Sequence, residues 1–491
     1  MGLMRFVLSS AERFTEETVR AAYLSGIDRI AWQVEASLRG NELVMKRAVS
    51  DSAKLHLLWQ VEGHGRVVLS TGSLREDFGP YLLPLELARG TIGQLREQLA
   101  EWQTMGLIVP EKITGKVSEA TSHFARAALL QGDPQASAAS AEEALRAGLD
   151  AAEGLVATYV DQAMVVRRRT NARLPTLLAG DLSGSPLDDY TAKNFLSGFN
   201  AAVVPIRWRG IEASEGSHDW TTCDQKLQWC QSHHLKVCSG PLLQLDPRSL
   251  PDWLYLWEDD LDSLMSFVSE FVTAAVERYR GRIDFWQCAA RTNSADVLSI
   301  SEEDKLRLTA RSIELVRSLD PSAPAIVSFD QPWAEYMSRR EVDFPPLHAA
   351  EALIQAGLNP SGLMLEINLG YHPGGTLPRT PLELSRQLDM WAVLGLPLWV
   401  SIAVPSATDD DPQAGRRVSL AQSGWTPEAQ RAWVARCVPL ILAKPHVQGI
   451  LWNQLRDGEP HDFPHGGLFD RRRQAKPALH ALAKIRRTYL S

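Results

Sequence analysis

Cysteine is scarce: the 491-residue chain has five (Cys223, Cys230, Cys238, Cys288, Cys437), odd in number and widely spaced. No second pair accompanies Cys223 and Cys230, which excludes a zinc knuckle, and so sparse a set makes no disulfide framework. Reduced, buried thiols in a cytoplasmic protein are the expectation. No apolar run reaches the ~18 residues that span a bilayer. The N-terminal MGLMRFVLSSAERF lacks the apolar core and small-residue cleavage site of a secretory signal, and the Ser or Thr of a myristoylation motif. A basic excess is missing too. Lys and Arg number 51 against 59 Asp and Glu, a formal net charge of -8, which argues against nucleic acid or an anionic membrane as partner. There is no H-x-H or H-E-x-x-H spacing, no G-x-S-x-G elbow, and no G-x-G-x-x-G turn after a strand. No metal and no cofactor is therefore expected.

What is present is ordinary globular composition, 45% hydrophobic and 22% charged, in a chain long enough for two or three domains. Fifteen tryptophans are the unusual count; most fill a core, and flat aromatic faces also line sugar clefts. Residues 1–88 alternate with period two, as in Leu55, Leu57, Trp59, Val61 and in Ile30, Trp32, Val34. This predicts a small β-sandwich, either glycan-binding or simply a packing module. Residues 89–172 turn helical over Gly93–Trp102 and Ser140–Val166, with GDPQASAAS (132–140) read as the turn between helices. This is the helical connector. From 173 to 491, eight short apolar runs alternate with amphipathic stretches: Thr176–Leu182, Ala202–Trp208, Lys236–Leu243, Asp284–Arg291, Ala325–Asp330, Gly362–Leu369, Pro397–Val404 and Gly449–Leu455. The prediction is an α/β chain whose third region is a (β/α)8 TIM barrel.

In such a barrel the chemistry stands at the carboxyl ends of the strands. Those ends carry Arg207 and Glu212 (strand 2), Gln244 and Asp246 (strand 3), and Arg291 and Asn293 (strand 4). Asp330 and Trp333 belong to strand 5, Glu366, Asn368 and Tyr371 to strand 6, and Trp452 and Gln454 to strand 8. Polar groups at nearly every strand end point to a pocket for a hydroxyl-rich ligand. Glu366 and Asn368 share one face of a buried-looking strand.

The stretch FNAAVVPIRWRGIEASEGSHDW (199–220), with Asp224 and Trp229, resembles the second βα unit of glycoside hydrolase family 10. Leu250-Pro251-Asp252-Trp253, Phe285-Trp286, Gly467-Leu468-Phe469-Asp470 and Lys476-Pro477-Ala478 are similar to later motifs of that family, in order. The resemblance spans about 173–485 and implies a xylanase-like clan A barrel that acts on or binds a β-linked poly- or oligosaccharide. It also implies an acid/base glutamate after strand 4 and a nucleophile on strand 7. The family's W-D-V-V-N-E falls on Trp286-Gln287-Cys288-Ala289-Ala290-Arg291, and its T-E-L-D on Ser401-Ile402-Ala403-Val404. Arg291 and Ile402 therefore stand where the two glutamates are expected. Arginine cannot donate a proton near neutral pH, and isoleucine has no lone pair.

Two readings follow. In one the site is relocated, with Glu366 as leading carboxylate, Asp330 or Asp246 as the second, and Arg291 as a clamp on one of them. In the other the barrel only binds glycan or serves as a scaffold, and Arg291 and Glu366 are a structural ion pair. The discriminator is whether two of these carboxylates face one cleft about 5–10 Å apart. The sequence names neither the sugar nor the oligomeric state.

Overall fold

The computed structural model describes residues 2–9, 14–76, 79–169, 171–419 and 424–491. Two four-stranded sheets come first. One runs in the order Glu35–Arg39, Glu42–Arg47, Gly2–Val7, Tyr81–Leu82, and the other Ala31–Trp32, Tyr23–Ser25, Lys54–Val61, Gly65–Ser70. Leu55, Leu57, Trp59 and Val61 alternate into the core between them, as period two requires. The opposite face of the same strand is also buried, because Leu58 packs with Leu377 from the barrel. The sandwich thus uses both faces, one for its own core and one for docking.

Three helices follow: Leu83–Thr104, Glu111–Leu129 and Pro134–Arg167. The segment read as a turn is mostly helix. Asp133 caps it, its Oδ1 accepting from the amides of Gln135 (3.1 Å) and Ala136 (3.2 Å), and Pro134 takes the first helical position. An Asp-Pro pair followed by Ala and Ser starts a helix as readily as it makes a turn. The long helix buries Leu145 and Leu149 against the sandwich and Leu155 and Val156 against the barrel's helical layer.

The barrel strands are Leu177–Asp181, Ala201–Val204, Lys236–Ser239, Phe285–Ala290, Ala325–Asp330, Gly362–Asn368, Leu398–Ala403 and Val447–Trp452. All pair in parallel. The first closes on the eighth (Ala179 opposite Leu451), and the third on the fourth (Cys238 opposite Phe285). The result is a closed eight-stranded parallel barrel within helices, the α/β TIM architecture expected. Each predicted run contains a barrel strand or overlaps one.

Alternation sorts each strand into an outer and an inner set. Leu363, Leu365, Ile367, Val400 and Ile402 face the helices, while Phe285, Ile326, Met364, Trp399 and Leu451 plug the interior. Trp399 lies so close over Gly449 that a β-carbon there would stand 1.9 Å from its ring. Gly449→Ala is therefore expected to cost about 2 kcal/mol through displacement of the indole. The readout is a lower urea midpoint at unchanged slope; an unchanged midpoint would mean that the ring moves freely.

Candidate active site at the barrel mouth

Above the apolar plug, the inward positions turn polar. Gln287 donates to Ser328 (2.6 Å). One layer higher, the Ser401 hydroxyl donates to Asn453 Oδ1, Asn453 Nδ2 to Asn368 Oδ1 (2.7 Å), and Asn368 Nδ2 to Glu366 Oε2 (3.3 Å). Arg291 donates to the same carboxylate oxygen, Nε to Glu366 Oε2 at 3.0 Å. Its Nη1 reaches Asp246 Oδ2 at 3.2 Å and Asp462 Oδ2 at 3.7 Å. One hydrogen-bonded chain thus crosses the mouth from strand 7 to strand 3, centred on a guanidinium 7% exposed.

Burial opposes the charge on Arg291, but Glu366, Asp462, Asp330 and Asp246 outweigh it and raise its pKa further. Asp462, in the loop after strand 8, is half-buried. Arg291, Arg207, Arg416 and Arg248 nevertheless hold its carboxyl below the usual range. Asp330 behaves in the opposite way. Burial, then the negative charge of Glu366 opposite it on strand 6, pushes it up to about 6 against relief from Arg291 and Arg416. Arg291 and Gln331, at the ends of strands 4 and 5, have φ of 59° and 48°. Such left-handed backbone costs about 1 kcal/mol or more and persists where the surroundings impose it.

A cavity of about 980 Å³ opens over this network, with Asp246, Arg291, Asp330, Tyr371, Arg416 and Asp462 in its walls. Of the three proposed carboxylates, Asp246 and Asp330 line it. Glu366, 4% exposed, does not; it is held behind Arg291. Asp246 and Glu366 lie within roughly 8 Å of each other, the reach of two hydrogen bonds and one guanidinium. The guanidinium that bonds both carboxylates fills the space between them. Arg291 and Tyr371 also line the cavity.

Asn293 acts beneath it, donating to the Asp330 carbonyl (2.9 Å) and accepting from its amide (3.1 Å), so it pins the end of strand 5. Asn368 is wholly buried in the network. The remaining expected residues do not line the cavity. Arg207 donates to Ser183 (3.2 Å). Glu212 takes the Trp208 indole N–H and the Gly216 amide, both at 2.7 Å. Gln244 pairs along strand 4 opposite Ala290. Trp333 lies under Arg379 and lines a separate cavity. Trp452 belongs to the outer core, its indole donating to Gly466 (2.9 Å). Gln454 braces the loop after strand 8, accepting from the Phe463 amide (3.1 Å).

Ile402 faces the helices as well, so the inward residues of strand 7 are Trp399, Ser401 and Ala403, and none is an acid. Asp462 and Arg416 were not foreseen. They sit in long loops without periodicity, and only their charge in a strand-end loop marked them. Among the described residues, no group of three His, Cys, Asp or Glu side chains is placed to hold a metal ion, and no helix is long and apolar enough to cross a membrane.

A family model described as glycosyl hydrolase family 10 matches residues 190–294. That stretch runs through strands 2, 3 and 4 and ends just past Arg291. Endo-1,4-beta-xylanase 5 of Arabidopsis thaliana is 24% identical over 200 residues, which are 40% of this chain and 34% of that protein. Endo-1,4-beta-xylanase 5-like of the same plant is 21% identical over the same span. The barrel is glycosyl hydrolase family 10-like. The match covers about a third of the length of these curated relatives. Xylanase 10B from Thermotoga maritima is 14% identical, with a TM-score of 0.48 over 65% of this chain and 97% of its own. Xylanase 10B from Thermotoga petrophila RKU-1, solved with xylobiose, is 15% identical with a TM-score of 0.49 over 65% and 96%. On this family 10-like barrel, the expected acid/base position carries a buried guanidinium shared by three carboxylates.

Proposed function

We propose that the protein binds a β-linked oligosaccharide at the mouth of its family 10-like barrel and does not cleave it by the two-glutamate route. The observation that carries this reading is Arg291 at the strand-4 position. A guanidinium cannot protonate a leaving group near neutral pH. Here it also occupies the gap between Asp246 and Glu366. The ligand class is supported by the family match and by a wall of charged donors and acceptors of the kind that hold sugar hydroxyls. Arg416 is a candidate contact. It lines the cavity and bonds the Gly374 carbonyl through Nη1.

The test pairs turnover with binding. Xylan, β-glucan and aryl glycosides are expected to release no reducing ends or aglycone above a blank. Titration with xylo-oligosaccharides is expected to give a saturable tryptophan-fluorescence change, weakened about tenfold in Arg416→Ala. Neither binding nor turnover on any sugar would reject the reading. A second reading rests on the raised pKa of Asp330: it could donate a proton near pH 6 while Asp462, held ionised, serves as base. Turnover that peaks near pH 6 and vanishes in Asp330→Asn would establish that alternative and a relocated site.

A further inference from the structure

The cavity is not built by the barrel alone. Thr15, Glu16, Glu17, Arg20 and Ala21, from the N-terminal sandwich, form part of its wall. The short helix Glu16–Ala21 is held at both sides of the mouth. Arg339, in the loop after strand 5, donates two hydrogen bonds to the Arg20 carbonyl (3.1 and 2.7 Å). Ser419, in the loop after strand 7, donates to the Glu17 carboxylate.

The sandwich behind this helix is docked through buried polar contacts. Arg379, buried, donates from one nitrogen to the Tyr23 hydroxyl (3.0 Å) and to Glu335 (2.7 Å). The Val34 and Val68 amides donate to the carbonyls of Ser338 (3.2 Å) and Pro378 (2.8 Å). Tyr23 and Ala31 pack with Ala334 and Met337 of the strand-5 loop. Arginines and backbone amides desolvated in this way hold a fixed orientation, because separating the surfaces strands each of them. The helix is therefore a fixed wall rather than a tethered appendage.

We infer that the sandwich is a component of the sugar site. It closes the mouth between the strand-5 and strand-7 loops, so that the cavity takes a short oligosaccharide or a chain end and not the interior of a polymer. Glu17 and Arg20 are the residues that meet the terminal sugar. This inference rests on the oligosaccharide reading above. A chain threading through the mouth would have to exit past a strand-5 loop and a strand-7 loop, and the helix bridges these two. The cavity volume is also at the upper end of the roughly 300–1,000 Å³ of small-molecule sites, which suits a few sugar units rather than an extended groove.

The experiment is calorimetric titration with xylo-oligosaccharides from dimer to hexamer, with xylan as competitor before and after partial acid fragmentation. Affinity is expected to stop rising once the chain spans the cavity. At equal mass, fragmented xylan is expected to compete better than intact xylan, since chain ends are what bind. Arg20→Ala and Glu17→Ala should each weaken the longest bound oligosaccharide about fivefold. Arg20 is exposed and Glu17 half-buried, and an unchanged urea midpoint reports that each variant is folded. Intact and fragmented xylan competing equally at equal mass would overturn this inference and spare the oligosaccharide reading. The same holds if both variants bind every length as the native chain does. Failure of every oligosaccharide to bind the native protein would overturn both.

Discussion

Arg291→Met is expected to destabilise the protein by about 3–5 kcal/mol, the cost of stranding buried charge when one member of an ion network is removed. The reason lies in what the guanidinium touches. It holds Glu366 at 3.0 Å and Asp246 at 3.2 Å, with Asp462 at 3.7 Å, and among the described residues no other cation pairs with Glu366. Methionine fills most of the volume, so packing changes little and the effect is electrostatic. Adding Glu366→Gln to Arg291→Met should recover part of the loss, because the amide needs no counter-charge and can still accept from Asn368. A double-mutant cycle by urea unfolding measures this. Arg291→Glu, which restores an acid at the family position, should be worse than Arg291→Met, since it adds a carboxylate to a cluster already rich in them. Additive effects of Arg291→Met and Glu366→Gln would mean that the pair is not coupled, and the account of the mouth would fail.

The same network marks where the sequence could and could not be read. The eight strands were legible because a strand buried on both faces is a short unbroken apolar run between amphipathic helices. That property also hid which face is which. In Leu398–Ala403 both sets of residues are apolar or small, so nothing told Ile402, facing the helices, from Ser401, facing the network. A polar residue breaks the ambiguity. Glu366 and Asn368, two apart within an apolar strand, fixed the inward face of strand 6, and the pairing of Glu366 with Arg291 was one of the two roles open to them. Asp462 and Arg416 gave no such signal, for loops have no period. The docked sandwich was invisible for another reason. Its contacts with the barrel join Tyr23 to Arg379 and Arg20 to Arg339, pairs more than 300 residues apart that no local pattern connects.

Asp330→Asn is expected to stabilise the protein by about 3 kcal/mol above pH 6 and to change little near pH 4. The native carboxyl titrates at about 6, against 3.8 for the ordinary group. The folded state therefore binds the proton more tightly than the unfolded one. Stability tied to this group is complete below about pH 4, where both states are protonated. It falls as pH rises from about 4 to 6, and is lost above, where ionising Asp330 means charging a site 2% exposed beside Glu366. A gap of about two pKa units corresponds to about 3 kcal/mol. Asparagine keeps an oxygen for the Gln331 amide, which donates to the Asp330 carboxylate at 3.0 Å, and has no proton to lose. The difference between the two proteins' unfolding free energies should thus open between pH 4 and 6 and then stay level. Asp462 works with the opposite sign, its lowered pKa withdrawing stability as pH falls, but it is common to both proteins and cancels in the difference. A difference that is flat across this window would show that Asp330 titrates in the ordinary carboxyl range and is already ionised at about pH 5. It would also remove the proton donor on which any relocated hydrolysis at this mouth depends, leaving binding as the one chemistry its residues support.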